Sequence, residues 1–416
     1  MFLSYFNLTG GIMKKIILTL LFISLSFAWA GDTFSLDLQS RTRFEANGKT
    51  FVKERGFDNY TYMRNRLGLS FKASETASAY VQIQDSRIMG SETATLGDGS
   101  ADLLDFHQMY IEFRLPFDIP LSLKLGRFEA NYGNQRLLGA VGWHNVGRSF
   151  DGLIARYNSD NFSLDFFNFK EKENNNLGDF GDKNVAGTWL RYTHNEQLSG
   201  NANIIWQRTQ GPDQLSRINI GGDLAFNFSR IRGTVEANYQ TGKNAAGYQN
   251  DISAWMLALF VQYIQEGAEV FPKIGLGIDY LSGDDKPGDD TYKTFNTLYA
   301  TNHKFYGMSD MFLNLPRDTY GAGLNDMYVR SQIIKVNKFS ADATFHLFYT
   351  AEDVYIAGKK ENHFANELDL IINYVQSEHI KFQSGYSIVF PGKIFEAVKG
   401  KDPAHFFYFT TTFALK

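Results

Sequence analysis

Ser35-Leu-Asp-Leu-Gln-Ser-Arg-Thr-Arg-Phe-Glu-Ala46 alternates without a break. Leu36, Leu38, Ser40, Thr42 and Phe44 share one parity; Asp37, Gln39, Arg41, Arg43 and Glu45 share the other. An extended chain points successive side chains to opposite sides, so the stretch reads as a β-strand with one apolar and one charged face. Charge this dense suits water on one side, and the opposite side suits lipid. That combination is the pattern of a transmembrane barrel.

The same template recurs along the chain. In Tyr60 to Ser74, Met63, Leu67, Leu69 and Phe71 oppose Arg64, Arg66, Ser70 and Lys72. In Ile231 to Tyr239, Ile231, Val235, Ala237 and Tyr239 oppose Arg232, Thr234, Glu236 and Asn238; near the C-terminus Phe407, Phe409, Phe413 and Leu415 alternate with Tyr408, Thr410 and Thr412. About eighteen such segments are expected, starting near residues 34, 59, 76, 104, 121, 146, 161, 183, 198, 216, 231, 251, 269, 325, 339, 363, 379 and 404. Short turns such as Glu75-Thr76, Ser229-Arg230 and Ser377-Glu378 alternate with longer polar connections. The expected fold is therefore all-β: a transmembrane antiparallel up-and-down β-barrel with short periplasmic turns and long extracellular loops.

Composition agrees. Aromatic residues are 15% of the chain and glycines number 37, against 8 prolines, yet mean hydropathy is only −0.28. A membrane protein can be this polar when its residues alternate between lipid and water. Lys14 and Lys15, the apolar run Ile16 to Phe27 and Ala28-Trp-Ala30 have the layout of a secretory signal peptide, too short to span a bilayer as a helix. Residues 1–30 are expected to be that signal, with 1–12 a possible mis-assigned start before Met13, and 31–416 to be the barrel, in a bacterial outer membrane. Losing Lys14 and Lys15 leaves a formal charge of −6 in place of −4, which argues against a nucleic-acid partner. With no cysteine, an exported chain has neither disulfides nor a thiolate metal site.

Two blocks, Leu123-Lys-Leu-Gly-Arg-Phe-Glu-Ala-Asn-Tyr-Gly-Asn-Gln-Arg-Leu137 and Trp143-His-Asn-Val-Gly-Arg-Ser-Phe-Asp-Gly152, resemble the alginate-export family of outer-membrane porins. Ser282-Gly-Asp-Asp-Lys-Pro-Gly288, Asn302-His-Lys-Phe-Tyr-Gly307, Glu367-Leu-Asp-Leu370, Gly385-Tyr-Ser387 and Phe390-Pro-Gly392 extend the resemblance over most of the chain. It implies an eighteen-stranded barrel whose arginine-lined lumen passes an anionic polysaccharide, with pore-lining roles for Arg127, Glu129, Arg136, Arg148 and Asp151. The ending Phe413-Ala-Leu-Lys416 departs from the terminal aromatic common in such barrels, where the barrel-assembly machinery is the expected partner.

Parity adds Arg41, Arg43, Arg64 and Arg66 to the channel lining. It places cations mainly on the first six strands and carboxylates, among them Asp223, Glu236, Asp279, Asp342, Glu367 and Asp369, on the later ones. Cationic clusters in a pore favour anions. Arg127 shares the parity of Leu123 and Leu125, so either a β-bulge at Gly126 turns it inward or it faces out near an interface; the bulge is preferred, because a lipid-facing arginine costs about 2–4 kcal/mol at mid-membrane.

The longest connection, about Ser282 to Leu324, is expected outside the cell, folding over the mouth. Its Asp284, Asp285, Asp289 and Asp290 are candidate calcium ligands, although a solvated acidic loop is the simpler reading; no other cofactor is expected. His107, His144, His194, His303 and His346 are scattered without a catalytic partner, which argues against an enzyme. Tyr60, Tyr62, Trp189, Trp206 and Trp255 suit interfacial girdles or stacking on sugar rings. The expected function is a passive channel for an anionic or neutral saccharide, or a similar small polyanion. The alternatives are a general porin, or a plugged barrel that binds surfaces as an adhesin.

Overall fold

The computed structural model describes residues 33–90, 104–116, 119–173, 181–210, 214–244 and 251–415; the expected signal peptide lies outside them. Alternation becomes strand throughout. The first nine strands are β1 (Phe34–Gly48), β2 (Asp58–Ser74), β3 (Ala77–Ile88), β4 (Leu104–Arg114), β5 (Leu121–Phe128), β6 (Phe150–Asn158), β7 (Phe162–Lys172), β8 (Lys183–Asn195) and β9 (Leu198–Thr209). They continue as β10 (Ser216–Phe228), β11 (Ile231–Lys243), β12 (Asp251–Ile264), β13 (Val270–Leu281), the two-residue β14 (Thr291–Tyr292), β15 (Leu324–Val336), β16 (Phe339–Ile356), β17 (Lys359–Val375), β18 (Ile380–Pro391) and β19 (Ala404–Leu415). Leaving β14 aside, eighteen strands pair antiparallel with their neighbours, and β19 closes on β1 from Leu38↔Leu415 to Gly48↔His405. Closure leaves no unpaired edge, as a hydrocarbon solvent requires.

The expected strand starts hold to within four residues. The largest offsets have physical causes. β6 begins at Phe150 rather than near 146 because residues 129–149 leave the wall, and β17 begins at Lys359 because β16 and β17 run on to a tight turn at Ala357-Gly358. Outside, Leu36, Leu67, Ile111, Leu153, Phe166, Ile204, Leu224, Val235, Leu257 and Leu276 are exposed, forming the apolar belt; inside, Arg41, Arg43, Arg64, Arg66, Glu236, Asp279 and Glu367 are buried.

The register corrects one expectation. β5 pairs with β4 and β6 without a shift through Gly126, so no bulge reverses the parity there. Gly126 has another role: at φ +128° its missing side chain lets Met109 O lie 2.3 Å from where a Cβ would be. The bulge sits one strand away, where the β3–β4 register slips between Gln82 and Ile83 and His107 turns into the lumen.

Both long connections enter the barrel. Residues 129–149 (the short loop) and 282–323 (the long loop, with α1 at Leu315–Asp318) bury Tyr132, Leu137, Leu138, Phe295, Tyr306 and Phe312. This corrects the expectation of a long loop lying over the mouth: Phe312 packs on wall residues Phe348 and Phe364 and on Phe395 of α2 (Lys393–Val398), ring centroids 4.8–5.9 Å apart.

Candidate functional site: the two-loop partition of the lumen

The lumen arginines of β1 and β2 converge on the main chain of the short loop. Arg41 donates to the carbonyls of Gly142 (2.7 Å), Trp143 (3.1 Å) and His144 (3.1 Å), and Arg43 to Trp143 O at 2.5 Å. Arg64 donates to Gly142 O and His144 O at 3.2 and 3.1 Å, and Arg66 to Val146 O at 3.1 Å. A guanidinium presents several N–H donors in a rigid fork, which suits a turn whose carbonyls splay toward one point. Glu45 pairs with Arg43 at 2.7 Å, and Glu129 with Arg66 at 3.0 Å and His107 at 2.8 Å.

The long loop is held on the opposite charge. Met308 N donates to Asp369 Oδ2 at 3.0 Å and Ser309 N to Glu367 Oε1 at 2.7 Å, with Ser387 Oγ on the same oxygen at 2.9 Å. Gly307 permits this approach: its φ is +80°, and a Cβ would lie 2.5 Å from Glu367 Oε2. The division of charge between walls thus matches the backbone polarity of the two loops. Cations hold carbonyls, and carboxylates hold amides.

Between the walls the loops join each other. Gly139 N donates to Tyr299 O, Tyr299 N to Leu137 O and Thr301 N to Gln135 O, at 2.8–2.9 Å. Trp143 stacks on His303 with centroids 4.2 Å apart and planes 8° from parallel, while the Arg43 guanidinium lies 3.8 Å from the Trp143 ring centroid. Arg136 reaches Glu236 at 2.9 Å, Asp279 at 2.7 Å and the Tyr306 hydroxyl at 3.0 Å. Burial disfavours its charge, but Asp279, Tyr306 and Glu236 outweigh that and raise its pKa well above the ordinary value. Arg148 donates to Gly139 O at 3.1 Å, Ala300 O at 3.3 Å and Tyr299 O, tying both loops.

Two cavities flank this partition. One of about 410 Å³, toward the loop ends of the strands, is lined by Arg148, Glu171, Gln207, Asn296 and Tyr299. The other, about 260 Å³ and toward the turn ends, is lined by Arg41, Arg43, Trp143, Lys381 and Gln383.

Of the residues singled out from sequence, Arg41, Arg43, Arg64, Arg66, Glu129, Arg136 and Arg148 meet at the partition. Arg127 and Asp151 do not. They pair with each other at 2.9 and 3.1 Å on the side of exposed Met109, Ile111 and Leu153, outside the barrel. Trp189 departs from the girdle reading: it is buried inside, 5.2 Å from the Tyr132 ring.

The aspartates of the long loop assemble differently from a cation site. Lys293 pairs with Asp285 and lies 3.8 Å from Asp289, while Asp284 and Asp289 accept backbone N–H groups of Lys286 and Thr291. Among the described residues no group of three or more His, Asp or Glu side chains is arranged to hold a metal. Trp143, His303 and Tyr306 escaped the sequence reading as site residues, because no periodicity marks a loop side chain that turns into a lumen.

Residues 32–409 match the model of a family described as alginate export. No curated protein matches the chain. Among solved structures the fold is similar to OccK5 (OpdH) of Pseudomonas aeruginosa, with 11% identity, 92% of this chain and 98% of that one covered, and a TM-score of 0.60. It is also similar to OccAB1 of Acinetobacter baumannii (12%, 92% and 96%, 0.62) and to P. aeruginosa OpdK crystallised with vanillate (12%, 92% and 99%, 0.58).

Proposed function

The chain belongs to the alginate export family and is an outer-membrane transport channel, and on that premise we propose that it passes an anionic saccharide, or a similar small polyanion, passively across the partition. Export through a cleaved leader, residues 1–30, and insertion by the barrel-assembly machinery belong to the same reading.

One observation carries the anion preference. The four guanidiniums of Arg41, Arg43, Arg64 and Arg66 face two carboxylates, Glu45 and Glu129, and among the described residues Arg41 and Arg64 have no ion-pair partner. Carbonyl acceptors satisfy N–H groups without cancelling charge, so the cluster keeps a positive field, strengthened by the low-dielectric wall. An anion crossing the partition meets Arg148 in one cavity and Arg41 and Arg43 in the other.

The test is reversal potential in planar bilayers under a salt gradient, followed by current block with oligouronates. Anion selectivity with block supports the proposal; cation selectivity overturns it. The main-chain bonds joining the loops favour a second reading, a plugged barrel that acts as a surface-binding protein. That reading requires no conductance.

A further inference from the structure

A polar seam crosses the outer wall of β1–β6 within the apolar belt. Ser40 Oγ donates to Asn65 Oδ1 at 2.8 Å, Asn65 Nδ2 lies 3.4 Å from Asp85 Oδ2, and Arg87 binds the Asp85 carboxylate at 2.8 Å. Farther around, Arg127 chelates Asp151 and lies 3.6 Å from Asp105; the Arg127 and Asp151 side chains stay 40% and 56% exposed. Register places Ser40, Asn65, Asp85, Arg87, Arg127 and Asp151 on the outer face, because Arg64, Arg66, Gln84 and Phe128, one residue removed, are buried inside; Asp105 instead lies opposite inward Gln84.

Apolar residues flank the seam above and below on β1 to β4, whereas Arg127 and Asp151 lie at the loop-side ends of β5 and β6. Leu36 and Leu38 precede Ser40 on the outer face of β1 and Phe44 follows; on β2 Asn65 lies between Met63 and Leu67. β4 runs beside Arg127 with exposed Ile111 and Met109 on one side of its level and Phe106 and Leu104 on the other. The opposite wall has no such break: Trp255, Leu257, Leu259, Val261 and Tyr263 follow one another on the outside of β12. The seam also crosses β5 and β6, which at 8 and 9 residues are the shortest wall strands.

Lipid tails offer Ser40, Asn65, Asp85 and Arg87 no further hydrogen-bond partner, and headgroups do not reach between the apolar rows of β1 to β4, so the fitting neighbour there is another protein surface. Asp85 and Asp151 with Arg87 and Arg127 carry both signs. A patch of both signs turned about a symmetry axis meets its own complement, whereas an anionic headgroup would select cations alone. We infer that the outer face of β1–β6 docks a second copy of this chain within the membrane.

The chain has no cysteine, so single cysteines report proximity cleanly. Asn65→Cys, oxidised in the native membrane, is expected to give a disulfide-linked homodimer, while Leu257→Cys on the opposite wall gives none. No dimer from Asn65→Cys, equal yields from both positions, or an adduct with a different polypeptide overturns the inference. Native mass spectrometry of the wild type should show at least twice the monomer mass. Arg127→Asp should return the monomer while the barrel keeps its heat-modifiable gel mobility. A monomeric wild type, or an Arg127→Asp assembly of unchanged size, also overturns it. Neither readout depends on conductance, so this inference and the transport proposal fail separately.

Discussion

Arg136 Nη1 lies 2.7 Å from Asp279 Oδ2, an ion pair that joins the tip of the short loop to the wall of β13. The same guanidinium holds Glu236 on β11 and the Tyr306 hydroxyl of the long loop, so one side chain ties both loops to the barrel. Arg136→Ala would leave two buried carboxylates without their cation, a loss of about 3–5 kcal/mol in the seating of the loops. Single-channel conductance is expected to rise several-fold and residues 282–323 to become sensitive to protease, with the barrel still folded. Unchanged conductance would show that the partition does not depend on this residue.

The carbonyl clasp makes a separable prediction about charge. Arg41→Gln with Arg64→Gln removes two cations that form no ion pair among the described residues, and the anion-to-cation permeability ratio should fall several-fold. Arg41→Lys keeps the charge but cannot fork across three carbonyls. It should retain selectivity while current noise increases. Equal selectivity in the double variant and the wild type would remove these arginines from the filter.

Gly307 allows the long loop to meet Glu367. Gly307→Ala forces a side chain to adopt φ +80° against a carboxylate, at a cost of about 1–3 kcal/mol. The expected result is faster amide exchange at Met308 and Ser309. Exchange at the wild-type rate would show that the backbone there relaxes freely.

His144 supplies a pH dependence. Burial, then the guanidiniums of Arg43, Arg41, Arg148 and Arg64, hold its pKa below the usual imidazole value. With the loop released, His144 takes up a proton first on acidification, so its contribution to seating is complete above about pH 6.5 and is lost as pH falls toward the lower seated value. Gating noise should grow below that pH in the wild type and not in His144→Gln. Identical pH profiles would exclude His144.

Lys293 among Asp284, Asp285 and Asp289 leads to a prediction on metal. Chelation by EDTA should leave conductance and thermal unfolding unchanged. A calcium-dependent rise in melting temperature would show instead that the loop rearranges around a cation.

The barrel was legible because lipid and water impose period two on every strand: Leu36 and Arg41 declare their sides without any knowledge of neighbours. Gly126 shows the limit. Glycine before an arginine of unfavourable parity suggests a bulge, but the backbone approach of Met109 is a contact between strands, and the true bulge at His107 carries no glycine. The partition was less legible still. Inward parity for Arg41, Arg64, Glu367 and Asp369 was readable, but what those charges hold is set by loops about 60 to 100 residues away in sequence, which carry no repeat. Arg136 was marked only by family resemblance, and its two carboxylates only by parity.

The clasp on Gly142, Trp143 and His144 grips main-chain oxygens, so these bonds do not depend on side-chain identity, and only the Trp143 ring adds stacking of its own on His303 and Arg43. Substitutions there can reshape what passing molecules encounter while the main-chain moorings to Arg41 and Arg64 persist. The wall can therefore serve as a constant chassis, with cargo choice changing through its exchangeable insert.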